Sequence, residues 1–196
     1  MVRTVSTMLP LGSTLPSFSL PDGQGNTWHS QALVQSKGLL VVFMCNHCPF
    51  VKHIAPELAR LGRELPQLEV GMVGINSNDV QAYPQDGPEA MLKEAVEQSY
   101  TFPYLYDEDQ ELAKKFRAAC TPDFYLFTQT GNLFYRGQLD DSRPGSQVPV
   151  NGHDLRSALE ALLSGKIFPE ELQRPSLGCN IKWKLGNHPS YFGDPK

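Results

Sequence analysis

Cysteine is scarce, with four in 196 residues. That is too few for a disulfide-stapled scaffold, so stability has to come from a packed core. Long apolar runs are also missing. The longest, residues 38–44, is strand-sized and far short of the ~20 residues needed to cross a bilayer. There is no cluster of Lys or Arg, and 17 basic against 21 acidic residues leave a net charge of −4. Neither nucleic acid nor a membrane surface is therefore expected as a partner. Residues 1–15 hold no apolar block of a secretory signal, because Pro10 and Gly12 interrupt them, and a cytoplasmic location is expected.

What is present is enough for one domain. Forty per cent of the residues are apolar, sufficient to build a core and too many for disorder. The length fits a domain over residues 1–165 with a C-terminal tail, residues 166–196, packed on it. Residues 18–20 and 27–28 flank the turn-rich stretch 21–26 and predict a small β-ribbon. Ser30 is placed to cap a short helix that Gly38 ends. The continuous apolar run 39–44 predicts a strand buried on both faces. Val51, Ile54, Leu58 and Leu61 then recur at helical spacing. A second buried strand is expected over 70–75, helices over 88–100 and 107–119, an extended piece over 102–106, a hairpin over 124–135 and a last helix over 154–163. Early βαβ steps followed by a hairpin and a covering helix imply an α/β fold, a mixed central sheet flanked by helices.

The chemistry concentrates at Cys45-Asn46-His47-Cys48, where a buried strand hands over to a helix. A thiol at a helix N-terminus faces unpaired N–H groups and the positive end of the dipole, which stabilises its thiolate. The thiolate is the form that attacks a disulfide, and a second cysteine about one turn away can resolve the mixed disulfide. A protonated His47 would lower the Cys45 pKa further. The competing reading is a zinc knuckle, which needs two more ligands. A second feature is Cys120-Thr121-Pro122 ahead of the apolar run 124–127, a strand start that tolerates proline.

On these residues the chain resembles the thioredoxin-like superfamily. It is most similar to the redoxin branch, which includes the alkyl hydroperoxide reductase/thiol-specific antioxidant family. The resemblance runs over roughly residues 12–164. It rests on Leu15-Pro16-Ser17-Phe18-Ser19-Leu20, on the strand into Cys45-Asn46-His47-Cys48, on Thr121-Pro122 and on the hairpin with Gly131-Asn132-Leu133. The whole chain resembles a bacterial group described only as thioredoxin family proteins. The resemblance implies a thioredoxin fold with an N-terminal ribbon, and dithiol–disulfide exchange without cofactor or metal. It makes Cys45 the exposed nucleophile and Cys48 the resolving thiol. It makes Pro122 a cis-proline facing them, with Thr121 pairing with a bound peptide, and it places Met44 and Asn46 among the substrate-contacting residues. The partners implied are a protein or small-molecule disulfide and a separate thiol reductant or oxidant.

Some residues depart from the pattern. Met44 stands where thioredoxin proper has tryptophan. Pro49 falls in the presumed first helical turn, where it removes a donor. A helix that starts there leaves Cys45 in a loop and favours Cys48 as the low-pKa thiol. A peroxiredoxin-type peroxidase would carry a Pro and a Thr seven and three residues before its reactive cysteine. Here those positions are Val41 and Cys45 before Cys48, or Gly38 and Val42 before Cys45. A copper- or zinc-handling protein on this fold is a further alternative, against which the cysteine spacing counts. Cys120 is a candidate additional redox thiol, with a small core residue as the plainer reading. Cys179 lies beside Lys182 and Lys184, which would lower its pKa, and the plainer reading is an idle thiol packed by Ile181 and Trp183. The loop 140–151 is expected either to run beside the active site and shape a substrate groove, or to be a solvated loop stabilised by an Asp141–Arg143 contact.

Overall fold

The computed structural model describes residues 3–192. Its centre is β4 (Gly38–Phe43), every residue of which is buried. Leu40, Val42 and the following Met44 enter one apolar layer, and Leu39, Val41 and Phe43 enter the other. This is the period of two that a doubly covered strand requires.

Among the described residues the central sheet has five strands and is mixed, with β4 in the middle. β5 (Val70–Asn76) lies parallel to β4, and β6 (Tyr104–Tyr106) lies parallel to β5. β8 (Asp123–Thr128) runs antiparallel to β4, and β9 (Leu133–Gly137) closes the hairpin with a register shift at Leu126/Phe127. On one face pack α2 (Pro49–Glu64), α3 (Pro88–Glu97) and α5 (His153–Leu163), through Ile54, Leu58, Met91 and Leu155 among others. On the other face lie α1 (Ser30–Leu33), α4 (Glu111–Lys115) and the ribbon of β2 (Ser19–Pro21) and β3 (Thr27–His29). Each fully buried aliphatic side chain contributes about 1.5–3 kcal/mol. Leu58 shows no exposed surface, so Leu58→Ala would cost about 2–5 kcal/mol.

The ribbon turn is built by one carboxylate. Asp22 accepts the Gln24 and Asn26 amides at 2.8 and 2.9 Å and the Trp28 indole N–H at 3.0 Å. Three sequence expectations need correction. Ser30 does not cap α1: it is the first helical residue, its hydroxyl accepts the Phe18 amide at 3.3 Å, and the helix ends at Leu33, well before Gly38. The helix expected over 107–119 shrinks to Glu111–Lys115. Gln110 and Arg117 adopt left-handed backbone at φ 64° and 51°, which interrupts a helix on either side. Asp107 caps the short remainder by accepting the Leu112 and Ala113 amides. The tail, for which no strand was expected, contributes one. Its β10 (Leu177–Asn180) inserts between β1 (Arg3–Val5) and β7 (Cys120–Thr121) as the middle strand of a second, antiparallel sheet. Leu-Gly-Cys-Asn has neither alternation nor β-branching to announce a strand. The two flanking edges supply the pairing instead. No helix among the described residues is long and apolar enough to cross a membrane.

Candidate active site

After β4 the chain turns through residues 44–47 and enters α2. Cys48 is the N-cap residue and Pro49 the first helical residue, a position where the missing N–H costs nothing. The proline therefore fixes the helix start, and Cys48 rather than Cys45 sits at the N-terminus of a helix of 16 residues.

The loop is held from beneath by Asp86, which is fully buried. Its Oδ1 accepts the Asn46 and His47 backbone amides at 3.0 and 3.1 Å. Its Oδ2 lies 2.5 Å from His47 Nδ1 and accepts Asn78 Nδ2 at 2.9 Å. Nothing in the sequence singled out Asp86, which lies in a short 3-10 turn, Pro84–Asp86. It becomes visible only when the fold brings that turn under the loop.

Asn46 and Met44, expected to contact substrate, face inward. Asn46 donates from Nδ2 to the Gln85 carbonyl and accepts the Tyr104 hydroxyl at 3.0 Å. Met44 is buried, and its sulfur packs so closely on Gly74 that a Cβ there would lie 2.8 Å from it. Both side chains are used up in fixing the loop to the sheet. His47 remains partly exposed, stacked on Tyr83 with ring centroids 5.3 Å apart.

Thr121 joins the two motifs. Its carbonyl oxygen lies 3.2 Å from the Cys48 sulfur, and its hydroxyl lies 3.6 Å from the Cys45 sulfur. The Thr121–Pro122 peptide is cis. Pro122 lines a cleft with Phe50, His53, Ile54 and the 140–144 stretch of the loop. In that loop Asp141 pairs with Arg174 at 3.2 Å, while Arg143 binds Gln138 and the carbonyls of Asp140 and Ser142. The expected Asp141–Arg143 contact is thus replaced by other partners on both sides, Gln138 also donating to Asp141 at 2.8 Å.

The expectation of an exposed nucleophile fails. Cys45 is 1% exposed, Cys48 0% and Cys179 1%. Thr121 is not open for a substrate either, because β10 pairs with it, Cys179 opposite Thr121. The thiol that joins the pair is Cys179, not Cys120. Cys120 is fully buried, its S–H directed at the Pro122 and Ser176 carbonyls. Burial, and then the Asp123 carboxylate, push its pKa well up and keep it protonated.

Three sulfurs thus share one environment. Hydrogen bonds from the Cys179 and Cys45 thiols hold the Cys48 pKa well below the ordinary thiol range, and the first-turn amide of Val51 adds to the effect. Cys45 is pushed well up by its hydrogen bond to Cys48, by burial and by the Asp86 carboxylate. Of the three thiols Cys48 is therefore the one that ionises most readily, and while protonated it donates to the Thr121 carbonyl. Cys45 Sγ, His47 Nδ1 and an Asp86 oxygen lie within 4.8 Å of one another and could each offer a ligand to a metal ion. Asp86, however, already accepts two backbone amides and two side chains.

A family model for AhpC/TSA matches residues 11–136. The chain belongs to the AhpC/TSA family. The redoxin resemblance is borne out, and family membership supports a thiol redox role in general terms. A comparison with curated proteins gives no match. Among solved structures, the chain is 50% identical to an uncharacterized conserved protein from Geobacillus kaustophilus, over 94% of this chain and 97% of that one, with a TM-score of 0.91. It is 44% identical to a hypothetical protein from Sinorhizobium meliloti 1021, over 93% of this chain and 100% of that one, with a TM-score of 0.90. The thioredoxin domain of a thiol-disulfide oxidoreductase from Bacteroides vulgatus is 17% identical, over 68% of this chain and 91% of that one, with a TM-score of 0.57. That last likeness establishes the fold, which is thioredoxin-like.

Proposed function

We propose that this AhpC/TSA family member is a thiol–disulfide oxidoreductase working through Cys45 and Cys48, with Cys48 as the nucleophile. The observation that carries the reading is the position of Cys48 at the N-cap of α2, with a pKa lowered by the Cys179 and Cys45 thiols. The Cys48 thiolate attacks a substrate disulfide, forms a mixed disulfide and expels one substrate thiolate, which takes up a proton. Cys45 then gives up its proton and attacks the Cys48 sulfur, expelling the second substrate thiol. Two protein thiols become the Cys45–Cys48 disulfide, and one substrate disulfide becomes two thiols. A separate thiol donor resets the pair. No organic cofactor enters the cycle, and a cytoplasmic setting would supply such a donor.

The test is disulfide reduction by the full chain and by Cys45→Ser and Cys48→Ser. Cys48→Ser should lose all turnover. Cys45→Ser should be unable to form the Cys45–Cys48 bond and should turn over far more slowly than the full chain, its mixed disulfide at Cys48 being resolved only by another thiol. Full activity in either variant would remove the mechanism. The reduction potential of the pair then sets the direction: a value near ~−270 mV marks a reductant and one near ~−120 mV an oxidant. Hydroperoxide turnover in the same variants separates exchange from peroxidase activity. The proximity of Cys45, His47 and Asp86 favours one second reading, a copper- or zinc-handling protein. Stoichiometric zinc or copper(I) binding that Asp86→Asn abolishes would support it.

A further inference from the structure

The tail strand sits where a substrate strand was expected. β10 lies antiparallel on β7, with Cys179 opposite Thr121 and Asn180 opposite Cys120. The Thr121 carbonyl is the group that faces the Cys48 sulfur at 3.2 Å. A residue paired with Thr121 is thereby delivered to Cys48, and here that residue is itself a cysteine. Its side chain hydrogen-bonds the Cys48 sulfur, and Cys45, Cys48 and Cys179 lie in one apolar cluster. The register cannot drift easily. β1 holds the other edge of β10 through Arg3↔Cys179 and Val5↔Leu177. Gly178 passes so close to β7 that a Cβ would lie 2.0 Å from the Thr121 carbonyl oxygen.

We propose that Cys179 is a third redox thiol, which displaces Cys45 from Cys48 so that the Cys45–Cys48 disulfide exchanges internally to a Cys48–Cys179 disulfide. This rests on the dithiol reading given above. In the exchange Cys179 gives up its proton and its sulfur attacks Cys48 Sγ. The Cys48–Cys179 bond forms as the Cys45–Cys48 bond breaks. Cys45 leaves with the electron pair and takes up the proton, so the step is an isomerisation that consumes no oxidant. In the reduced protein Cys179 is kept protonated by its hydrogen bond to Cys48, then by burial and the charge on Cys48, with Lys182 acting in the opposite sense. Formation of the first disulfide removes the charge from Cys48 and leaves Lys182, which frees Cys179 to react. The product restores the Cys45 thiol and bonds the tail across the site until a thiol donor reduces it.

The experiment oxidises full-length Cys45→Ser with oxidised glutathione, quantifies thiols and maps disulfides by mass spectrometry of a non-reducing digest. The expected result is a Cys48–Cys179 linked peptide, two thiols lost per chain and no retained glutathione. Cys45→Ser/Cys179→Ala should instead keep glutathione on Cys48. The wild-type chain provides a map that depends on no variant folding. It should yield the Cys45–Cys48 peptide together with a fraction of the Cys48–Cys179 peptide. Glutathione held on Cys48 in Cys45→Ser, or a wild-type map with Cys45–Cys48 alone, overturns the relay while leaving the dithiol reading intact. A wild-type map with neither peptide overturns both.

Discussion

His47 Nδ1 lies 2.5 Å from Oδ2 of Asp86, a carboxylate with no exposed surface. Any charge on this histidine is therefore answered by Asp86 before it acts on Cys45, whose sulfur is 4.0 Å from the same nitrogen. The Asp86 carboxylate itself raises the Cys45 pKa, after the hydrogen bond to Cys48 and burial. The first prediction follows from that arrangement. Asp86→Asn should shift Cys45 alkylation to lower pH, since one cause of its raised pKa is gone. It should also cost about 1–3 kcal/mol, because buried donors that the carboxylate satisfied lose their partner. Site-resolved alkylation against pH and a melting curve check both. A Cys45 profile that stays in place would leave Asp86 with an anchoring role alone.

The sequence carried this site up to the point where long-range pairing begins. The buried strand, the CxxC and the Pro49 signal are local, and together they indicated a helix starting beside Cys48. Thr121 and Pro122 were found because the redoxin resemblance joins them to the cysteines. Asp86 was missed, and Cys179 set aside as idle, for one physical reason. Each reaches the loop from a segment with no periodicity of its own, a 3-10 turn and a strand of four residues. Asn46 and Met44 were misassigned because adjacency to a reactive cysteine does not say which way a side chain points. The Tyr104 hydroxyl and Gly74 draw these two inward.

A second prediction concerns Gly178. A methyl group there would meet the Thr121 carbonyl oxygen at 2.0 Å, and backbone cannot move aside as a flexible side chain can. Gly178→Ala should lift β10 from β7 and cost about 1–3 kcal/mol. Lifting the strand uncovers the sulfurs beneath it. Alkylation of Cys48 and Cys179 in the folded variant should accelerate severalfold over wild type. Unchanged melting together with unchanged thiol reactivity would show that the tail does not seal the site.

Glu57 on α2 supports a third. Its side chain is 2% exposed and meets Arg156 of α5 at 2.6 Å, with Arg60 at 3.4 Å. Arg156 also reaches Glu64 at 2.8 Å, so one guanidinium ties the two helices together. Removing Arg156 leaves the buried Glu57 with only the more distant Arg60, but Arg156 is itself a third exposed, which lessens the loss. Arg156→Met should therefore cost about 1–2 kcal/mol in urea unfolding. Glu57→Leu/Arg156→Met should recover most of that loss, since apolar replacement of both partners is often neutral. Equal losses in the single and double variants would mean that packing of the arginine stem, not its charge, joins the helices.

The last prediction uses Asp123, next to Pro122 and fully buried. Its Oδ2 accepts the Ser6 and Tyr125 hydroxyls at 2.8 and 2.7 Å, while Oδ1 has no partner. Burial outweighs these hydrogen bonds and pushes its pKa up to about 6. Asp107 is raised to about 6 as well, burial again prevailing over its bonds from Ser77, Ala113 and Leu112. A folded-state pKa above the unfolded value of 3.8 means that the native protein holds the proton more tightly. The resulting stabilisation is complete below pH 3.8 and is lost as the pH rises through about 6. At 1.36 kcal/mol per unit, Asp123 contributes a swing on the order of 3 kcal/mol. Asp123→Asn keeps an acceptor for both hydroxyls and cannot ionise. The variant should match wild type near pH 4 and exceed it in stability above pH 6, with a flatter profile between. Urea unfolding of both proteins across that range is the measurement. Parallel profiles would show that Asp123 does not titrate in this window and that the pH dependence lies with other groups.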